Sequence, residues 1–313
     1  MKLPPLRIIQ IGAAVLAMGF VVWMVPFRDL GQVIEHANVT VLIGAWLVYL
    51  ASYVIWTLRF RILLAIAGVP LPFGELLRVN LEAQAGGIIL PGGVGGDALR
   101  IAAIAQRGTP VPVGLAAALL DRALGLTTVA TLACIAAIAI SPGGIGPTTL
   151  FTAALPIGFV MFVSLMQVNA VRKRLARIGA NHERGIFRAI NLMIAYFSHP
   201  RAPRAIALAS IPSFLNSAIQ LVVLRAVLYA IGAHPESEHL VYVGCTMGML
   251  AGAIPALPGG WGTADAAYVF FLQRAGVLPA AALTMSLMYR LFWYSAGFGG
   301  AAIIAVRSRL RSV

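Results

Sequence analysis

The chain has 313 residues, 60% of them hydrophobic and 11% charged, with a formal net charge of +13. A mean hydropathy of +0.90 excludes an ordinary water-soluble domain. Apolar runs of about 18 to 28 residues recur from end to end without the period-two alternation of a barrel, so the expected fold class is an all-α polytopic membrane protein.

In chain order, Ile8 to Val25 reads as the first span, behind Lys2 and Arg7. Its length and the lack of a small-x-small cleavage site favour a retained helix over a signal peptide. Pro26 to Asn38 is expected outside, and Val39 to Leu58 returns to the cytoplasm at Arg59 and Arg61. Phe73 to Leu90 begins polar at Glu75 and Arg78 and breaks at Leu90-Pro91-Gly92-Gly93-Val94-Gly95-Gly96-Asp97. The helix expected from Asp97 stops near Gln106, ahead of Gly108 and Pro110. Such a helix rises only about 15 Å, half a bilayer, so residues 73–107 read as a re-entrant hairpin entered from the cytoplasm. Val113 to Ile140 is the third span, with Asp121 and Arg122 near mid-depth, and Leu150 to Val168 is the fourth. Ala205 to Leu224 is the fifth. A second hairpin, 240–277, enters from outside and breaks at Leu257-Pro258-Gly259-Gly260-Trp261-Gly262-Thr263-Ala264-Asp265. The sixth span, Ala280 to Val306, carries Arg290.

Basic residues collect between the apolar runs, chiefly Arg172, Lys173, Arg174, Arg177, Arg184, Arg188, Arg201 and Arg204, and in a tail with Arg307, Arg309 and Arg311. This is the charge bias of loops held inside, and it places both termini in the cytoplasm. No aromatic-interleaved basic motif accompanies the charge, so nucleic acid is not expected as a partner. Contact with anionic lipid headgroups is. Cys134 and Cys245 lie within apolar runs and read as small core residues.

The two Pro-Gly breaks are copies of one device. Each ends in an aspartate, and each aspartate is followed 25 residues later by an intramembrane arginine, Arg122 or Arg290. Arg59 to Pro91 is 32 residues and Arg225 to Pro258 is 33, and Asp121-Arg122 aligns with Tyr289-Arg290. The chain therefore divides into 1–147 and 148–313, each with three full crossings and one hairpin. An odd number of crossings turns the second copy upside down, giving inverted-topology repeats.

Glycines at Gly92, Gly93, Gly96, Gly259, Gly260 and Gly262 leave backbone amides uncovered, and a helix N-terminus at mid-membrane adds a positive dipole end. Together they suit an anion. Arg122 and Arg290, joined by Arg100, add full charge and fork geometry for phosphate oxygens. Two readings stand beside each other for the acids. Asp97 and Asp265 cap their helices and pair with Arg122 and Arg290 as structural locks, or those pairs open when an anionic headgroup arrives. Trp261 at the second tip packs against substrate in the functional reading. Glu82 and Gln84 either line the cavity or pair with Arg78, Asn216 and Gln220 read as interhelical glue, and Trp23, Trp46, Trp56 and Trp293 as interface anchors. No nucleophile–base set, paired catalytic acids or metal motif occurs, so no enzyme activity, cofactor or metal is expected.

The strings LPGGVGGDALR and LLDRALGL, then PALPGGWGTADAAY and LMYR, resemble the motifs of the lysylphosphatidylglycerol synthase transmembrane-region family. This is the flippase portion of bacterial aminoacyl-phosphatidylglycerol synthase/flippases, found also as stand-alone membrane proteins. The resemblance implies a lipid-translocating role for Pro91, Gly92, Gly93, Gly96, Asp97, Arg100, Asp121, Arg122, Pro258, Gly259, Gly260, Gly262, Asp265 and Arg290. It departs from the pattern at Asp265, where the family usually has Glu. No aminoacyl-transferase portion lies within these residues, so the cargo need not be an aminoacyl lipid, and hopanoid or polyprenyl-linked glycolipid settings stay open.

The expectation is thus a flippase of the bacterial inner membrane, moving an anionic-headgroup lipid of phospho- or polyprenyl type by alternating access. The alternative is a non-transporting, lipid-binding scaffold for a glycolipid, hopanoid or cell-envelope pathway. Membrane lipids are the expected partners, with a homodimer or an envelope-pathway enzyme left open.

Overall fold

The computed structural model describes residues 35–67, 71–89, 94–140, 147–179, 186–253 and 261–311. The first span at Ile8 to Val25, Trp23, and the break residues Pro91, Gly92, Gly93, Pro258, Gly259 and Gly260 lie outside them. The described residues form eleven α-helices and no strand. These are α1 (Val39–Leu64), α2 (Phe73–Ile89), α3 (Val94–Ala105), α4 (Val111–Ile140), α5 (Pro147–Gln167), α6 (Asn169–Gly179), α7 (Ile186–Phe197), α8 (Ala202–Ala230), α9 (Glu238–Gly252), α10 (Thr263–Leu272) and α11 (Pro279–Arg311).

An all-helical answer follows from the solvent, because a helix satisfies its own backbone where lipid offers no hydrogen bonds. Among the described residues four helices are long and apolar enough to cross a membrane: Val39–Leu64, Val111–Ala139, Thr149–Gln167 and Ala202–Ala230. At 33 residues, α11 is longer than any of them. Ends are set locally where charge permits: the Asn38 side chain accepts from Val41 N at α1, and Ser237 does the same for Leu240 N at α9.

The helices pair by a rule that local sequence does not state. α1 packs most extensively on α8, and the Asn38 amide donates to the Ala230 carbonyl at 2.7 Å where the two meet end to end. α2 and α3 form one antiparallel pair, α9 and α10 another. Each pair then crosses over: α2 lies against α11, and α9 lies against α4. Exchanging α1 with α8, α2 with α9, α3 with α10 and α4 with α11 maps these contacts onto one another. Small residues allow the close crossings. A Cβ at Gly300 of α11 would sit 2.0 Å from the Leu81 carbonyl oxygen of α2, and one at Gly248 of α9 would sit 2.1 Å from the Tyr268 ring of α10.

Among the described residues two large apolar cores result, with a small third cluster at Ala136, Ala137 and Val243. One gathers Leu224, Leu228, Val241, Leu272 and Met285, the other Phe60, Leu63, Leu76, Leu120 and Leu124. Hydroxyls and amides join helices between them: Asn80 to Thr57 at 2.9 Å, and Thr128 to Ser217 at 2.9 Å.

Four expectations are revised. α1 does not stop at Leu58 but continues to Leu64, so Arg59 is inside the bundle rather than at its cytoplasmic edge. α8 runs past Leu224 to Ala230. α3 begins at Val94, which puts Asp97 inside its first turn and not at its cap. Of the basic stretch after α5, Arg172, Lys173, Arg174 and Arg177 lie in α6 and Arg188 in α7, with Arg172 donating to the Phe197 carbonyl, while Arg184 lies outside the described residues.

Candidate functional site

Between α1, α2, α3, α4 and α11 lies a cavity of about 310 Å³. Its wall brings together Gly96, Asp97, Arg100, Asp121 and Arg122 from the sequence-predicted set, with Gln84. Helical geometry explains the placement. Asp97 and Arg100 are three residues apart and so share a face of α3. Asp121 and Arg122 are adjacent and point about 100° apart on α4, which sends the acid into the bundle and the arginine toward the opening.

The side chains form a row of alternating charge. Arg59 Nε donates to Asp121 at 2.6 Å, and Trp56 Nε1 donates to its other oxygen at 2.9 Å. Arg100 reaches Asp121 at 3.4 Å and Asp97 at 2.8 Å, and Arg122 Nε donates to the second oxygen of Asp97. Arg100 is fully enclosed, its guanidinium 3.8 Å from the Phe60 ring centre and 5.1 Å from that of Trp56. The row is buried at one end and open at the other: the side chains of Arg59 and Arg100 are 6% and 1% exposed, that of Arg122 is 40%. Three arginines face two aspartates. The row carries one positive charge more than its acids neutralise, and its most accessible member is a guanidinium.

The second copy is built differently. Arg290 Nη2 donates to both oxygens of Asp265, at 2.8 and 2.9 Å. Asp265 also accepts from Ser286 Oγ at 2.6 Å and from the Gly262 amide at 2.9 Å, so here the acid does close its helix start. The Arg290 guanidinium lies 3.9 Å from the Trp261 ring centre, and Trp261 Nε1 donates to Tyr294 at 2.8 Å. Trp261 therefore packs on Arg290. Asp265 and Arg290 are both buried, and neither lines the 310 Å³ cavity. Both Asp–Arg pairs expected from the 25-residue spacing are present, one open to a cavity and one closed.

A second cavity, about 200 Å³, adjoins the first: Trp56, Arg59 and Gln84 line both. Its remaining wall includes Tyr49, Ser52, Tyr53, Asn216 and Gln220. Gln220 does act as interhelical glue, donating to Ser52 at 3.0 Å and accepting from Tyr289 at 2.9 Å. Glu82 turns away, toward Arg307 at 3.0 Å and Arg78 at 3.6 Å. Trp46, Trp56 and Trp293 are not simple interface anchors, since each donates inside the bundle, to Ser295, Asp121 and Gln84.

Arg59 is the member that sequence reasoning missed. It follows an apolar run and so looks like a helix-end charge. A usable signal was present: Asp121 precedes Arg122 in a span whose matching position holds Tyr289, so the first half has a second acid, able to neutralise one more buried arginine, that the other half lacks. The aligned Arg225 correspondingly pairs at the surface with Glu238, at 2.6 Å.

Comparison with known proteins follows the same lines. The family described as lysylphosphatidylglycerol synthase TM region matches residues 7–298. A UPF0104 membrane protein of Methanothermobacter thermautotrophicus is 23% identical over 317 residues, covering 93% of this chain and 89% of that protein. A protein named glycosyltransferase AglD, of Haloferax volcanii, is 24% identical over 311 residues, covering 88% of this chain. The chain spans 50% of that relative's length.

Proposed function

From the membership of this chain in the lysylphosphatidylglycerol synthase transmembrane-region family, a family of multi-pass membrane proteins, we propose that it is a flippase of the bacterial cytoplasmic membrane. It moves a lipid with an anionic headgroup, of phospho- or polyprenyl type, between leaflets and catalyses no covalent step. The observation that carries the reading is the row Arg59–Asp121–Arg100–Asp97–Arg122, with its surplus positive charge and its exposed guanidinium facing a cavity. Arginine in a bilayer interior is costly unless a partner or a wet cavity receives it, and the planar fork of a guanidinium matches phosphate or carboxylate oxygens. The headgroup binds at Arg122, beside the hairpin α2–α3, and displaces part of the Asp97 contact. The acyl chains stay in lipid.

Alternating access is supported by the exchange pattern of helix contacts, which suits a reading of 1–147 and 148–313 as inverted repeats and of α2–α3 and α9–α10 as re-entrant hairpins. In that cycle the open pair at Arg122 and the closed pair at Arg290 are two stages of one device. The test is dithionite access to fluorescent phosphatidylglycerol in vesicles that contain the purified protein. Wild type should speed loss of inner-leaflet signal, and Arg122→Gln should slow it at least tenfold while the protein stays folded. A protein-free rate in wild-type vesicles rejects the reading.

One observation favours the scaffold alternative. The enclosure of Asp265 and Arg290 by Ser286 and Trp261 suits a structural lock, and a relative named as a glycosyltransferase suits a subunit placed beside an envelope enzyme. A scaffold binds lipid selectively yet leaves the dithionite rate unchanged.

A further inference from the structure

The 200 Å³ cavity beside the charged row differs from it in chemistry. Among the described residues that line it there is no carboxylate, and its one cation, Arg59, is already held by Asp121 and Ser213. The rest of its polar groups are neutral, and apart from the Trp56 indole, which donates to Asp121, they can both donate and accept: two phenols, a serine and three amides. Their own bonding leaves capacity unused. The Tyr49 and Tyr53 hydroxyls bond each other at 3.3 Å, which leaves one proton of the pair to donate. Asn216 Oδ1 is buried and accepts nothing from the described residues. A buried amide left so is unfavourable until a ligand or water satisfies it.

We infer that the two adjoining cavities receive one headgroup in two parts: a phosphate at Arg122, and a neutral polyol or sugar hydroxyl array among Tyr53, Asn216 and Gln220. This rests on the lipid-binding reading above and narrows its substrate class to phosphodiester lipids that carry a hydroxyl-rich group. Three observations converge on it. The cavities share Trp56, Arg59 and Gln84 in their linings, so groups held in the two are neighbours in the protein. Separately they sit at or below the lower end of the range of about 300–1,000 Å³ usual for ligand sites, and joined they fall within it. Alternating donors and acceptors beside aromatic faces match sugar hydroxyls, which need both. A cationic aminoacyl headgroup finds no free carboxylate in the second cavity and a net positive row in the first.

The test uses the full chain in nanodiscs that contain equal amounts of phosphatidylinositol and phosphatidic acid, with retained lipids read by native mass spectrometry. Wild type should retain phosphatidylinositol about tenfold over phosphatidic acid, the factor expected for one or two satisfied polar groups. Asn216→Leu and the milder Tyr53→Phe should each pull that ratio toward one, with thermal melting confirming that both variants fold. A wild-type ratio near one overturns the inference, as does a preference that survives both substitutions. If both lipids are held without preference and both are lost in Arg122→Gln, the anionic-headgroup site at Arg122 stands and only the polyol assignment falls. Retention of neither lipid rejects both. Glucose 1-phosphate added in solution separates a lipid ligand from a soluble one. Displacement of phosphatidylinositol by the sugar phosphate at equal concentration overturns the lipid-borne assignment, and failure to displace supports it.

Discussion

Arg290 holds Asp265 through a single nitrogen, Nη2, which lies 2.8 and 2.9 Å from the two carboxylate oxygens. The Arg290 Nε and Nη1 atoms are buried and find no acceptor among the described residues. This pair and Asp97–Arg122 have the same spacing in the chain and opposite exposure, so their removal should have different consequences.

Asp265→Ala leaves Arg290 buried without its counter-charge, and removing one partner of a buried pair costs about 3–5 kcal/mol. Asp97→Ala should cost much less, since Arg100 retains Asp121 and Arg122 retains solvent. Thermal or denaturant unfolding of the two variants in one detergent compares them directly. Equal losses would contradict the difference in burial.

Arg59 and Asp121, 62 residues apart in the chain, should behave as one unit. Arg59→Leu and Asp121→Leu are each expected to destabilise by several kcal/mol, about 3–5 on the scale of buried pairs. The double variant should lose less than the sum, with an interaction energy of about 0.5–3 kcal/mol from a double-mutant cycle. Additive losses would mean that the pair does not act together. Arg100 also contacts Asp121, so the recovery should be incomplete.

Gly300→Ala should destabilise by about 1–3 kcal/mol, because the new methyl meets the Leu81 carbonyl oxygen and the crossing of α2 and α11 must open. Gly44→Ala in α1 is the control. A Cβ there meets nothing within 4 Å, and the substitution should be neutral or stabilising by about 0.5–1 kcal/mol. Unfolding midpoints read both.

Glu75 stands at the polar start of α2, outside the four apolar spans, and accepts from Arg107 Nε at 2.6 Å. That hydrogen bond, with the charges of Arg107 and Arg78, holds its carboxyl below the ordinary value of 4.5. A depressed carboxylate stabilises the fold above its ordinary value, and the contribution disappears as pH falls through the folded value. Stability measured from pH 7 downward should therefore begin to fall below about 4.5, and Glu75→Gln should flatten that limb. A variant with an unchanged acid limb would show that the Arg107 contact contributes nothing.

Much of the architecture was legible because lipid imposes strict local demands. About 20 apolar residues are needed to cross and Pro-Gly pairs mark the breaks, so the long helices and the pairs α2–α3 and α9–α10 could be placed, although α1 and α8 run on past their expected ends at Leu58 and Leu224. The two Asp–Arg pairs were legible from their equal spacing. Arg59 was not. An arginine after an apolar run looks the same whether the helix ends there or continues, and only the approach of α3 and α4 supplies Asp121 and Arg100 around it.

The sequence by itself determined that this chain is a bundle of membrane helices with two like-spaced acid–base pairs, because periodicity, hydropathy and spacing are properties of neighbouring residues. Only the tertiary structure decided that one pair lines a cavity while the other is buried, and that a cavity lined mainly by amides and phenols adjoins the charged one. Both facts depend on which helices cross, α2 with α11 and α9 with α4. Those crossings are set by the steric fit of small residues far apart in the chain, which no local pattern encodes.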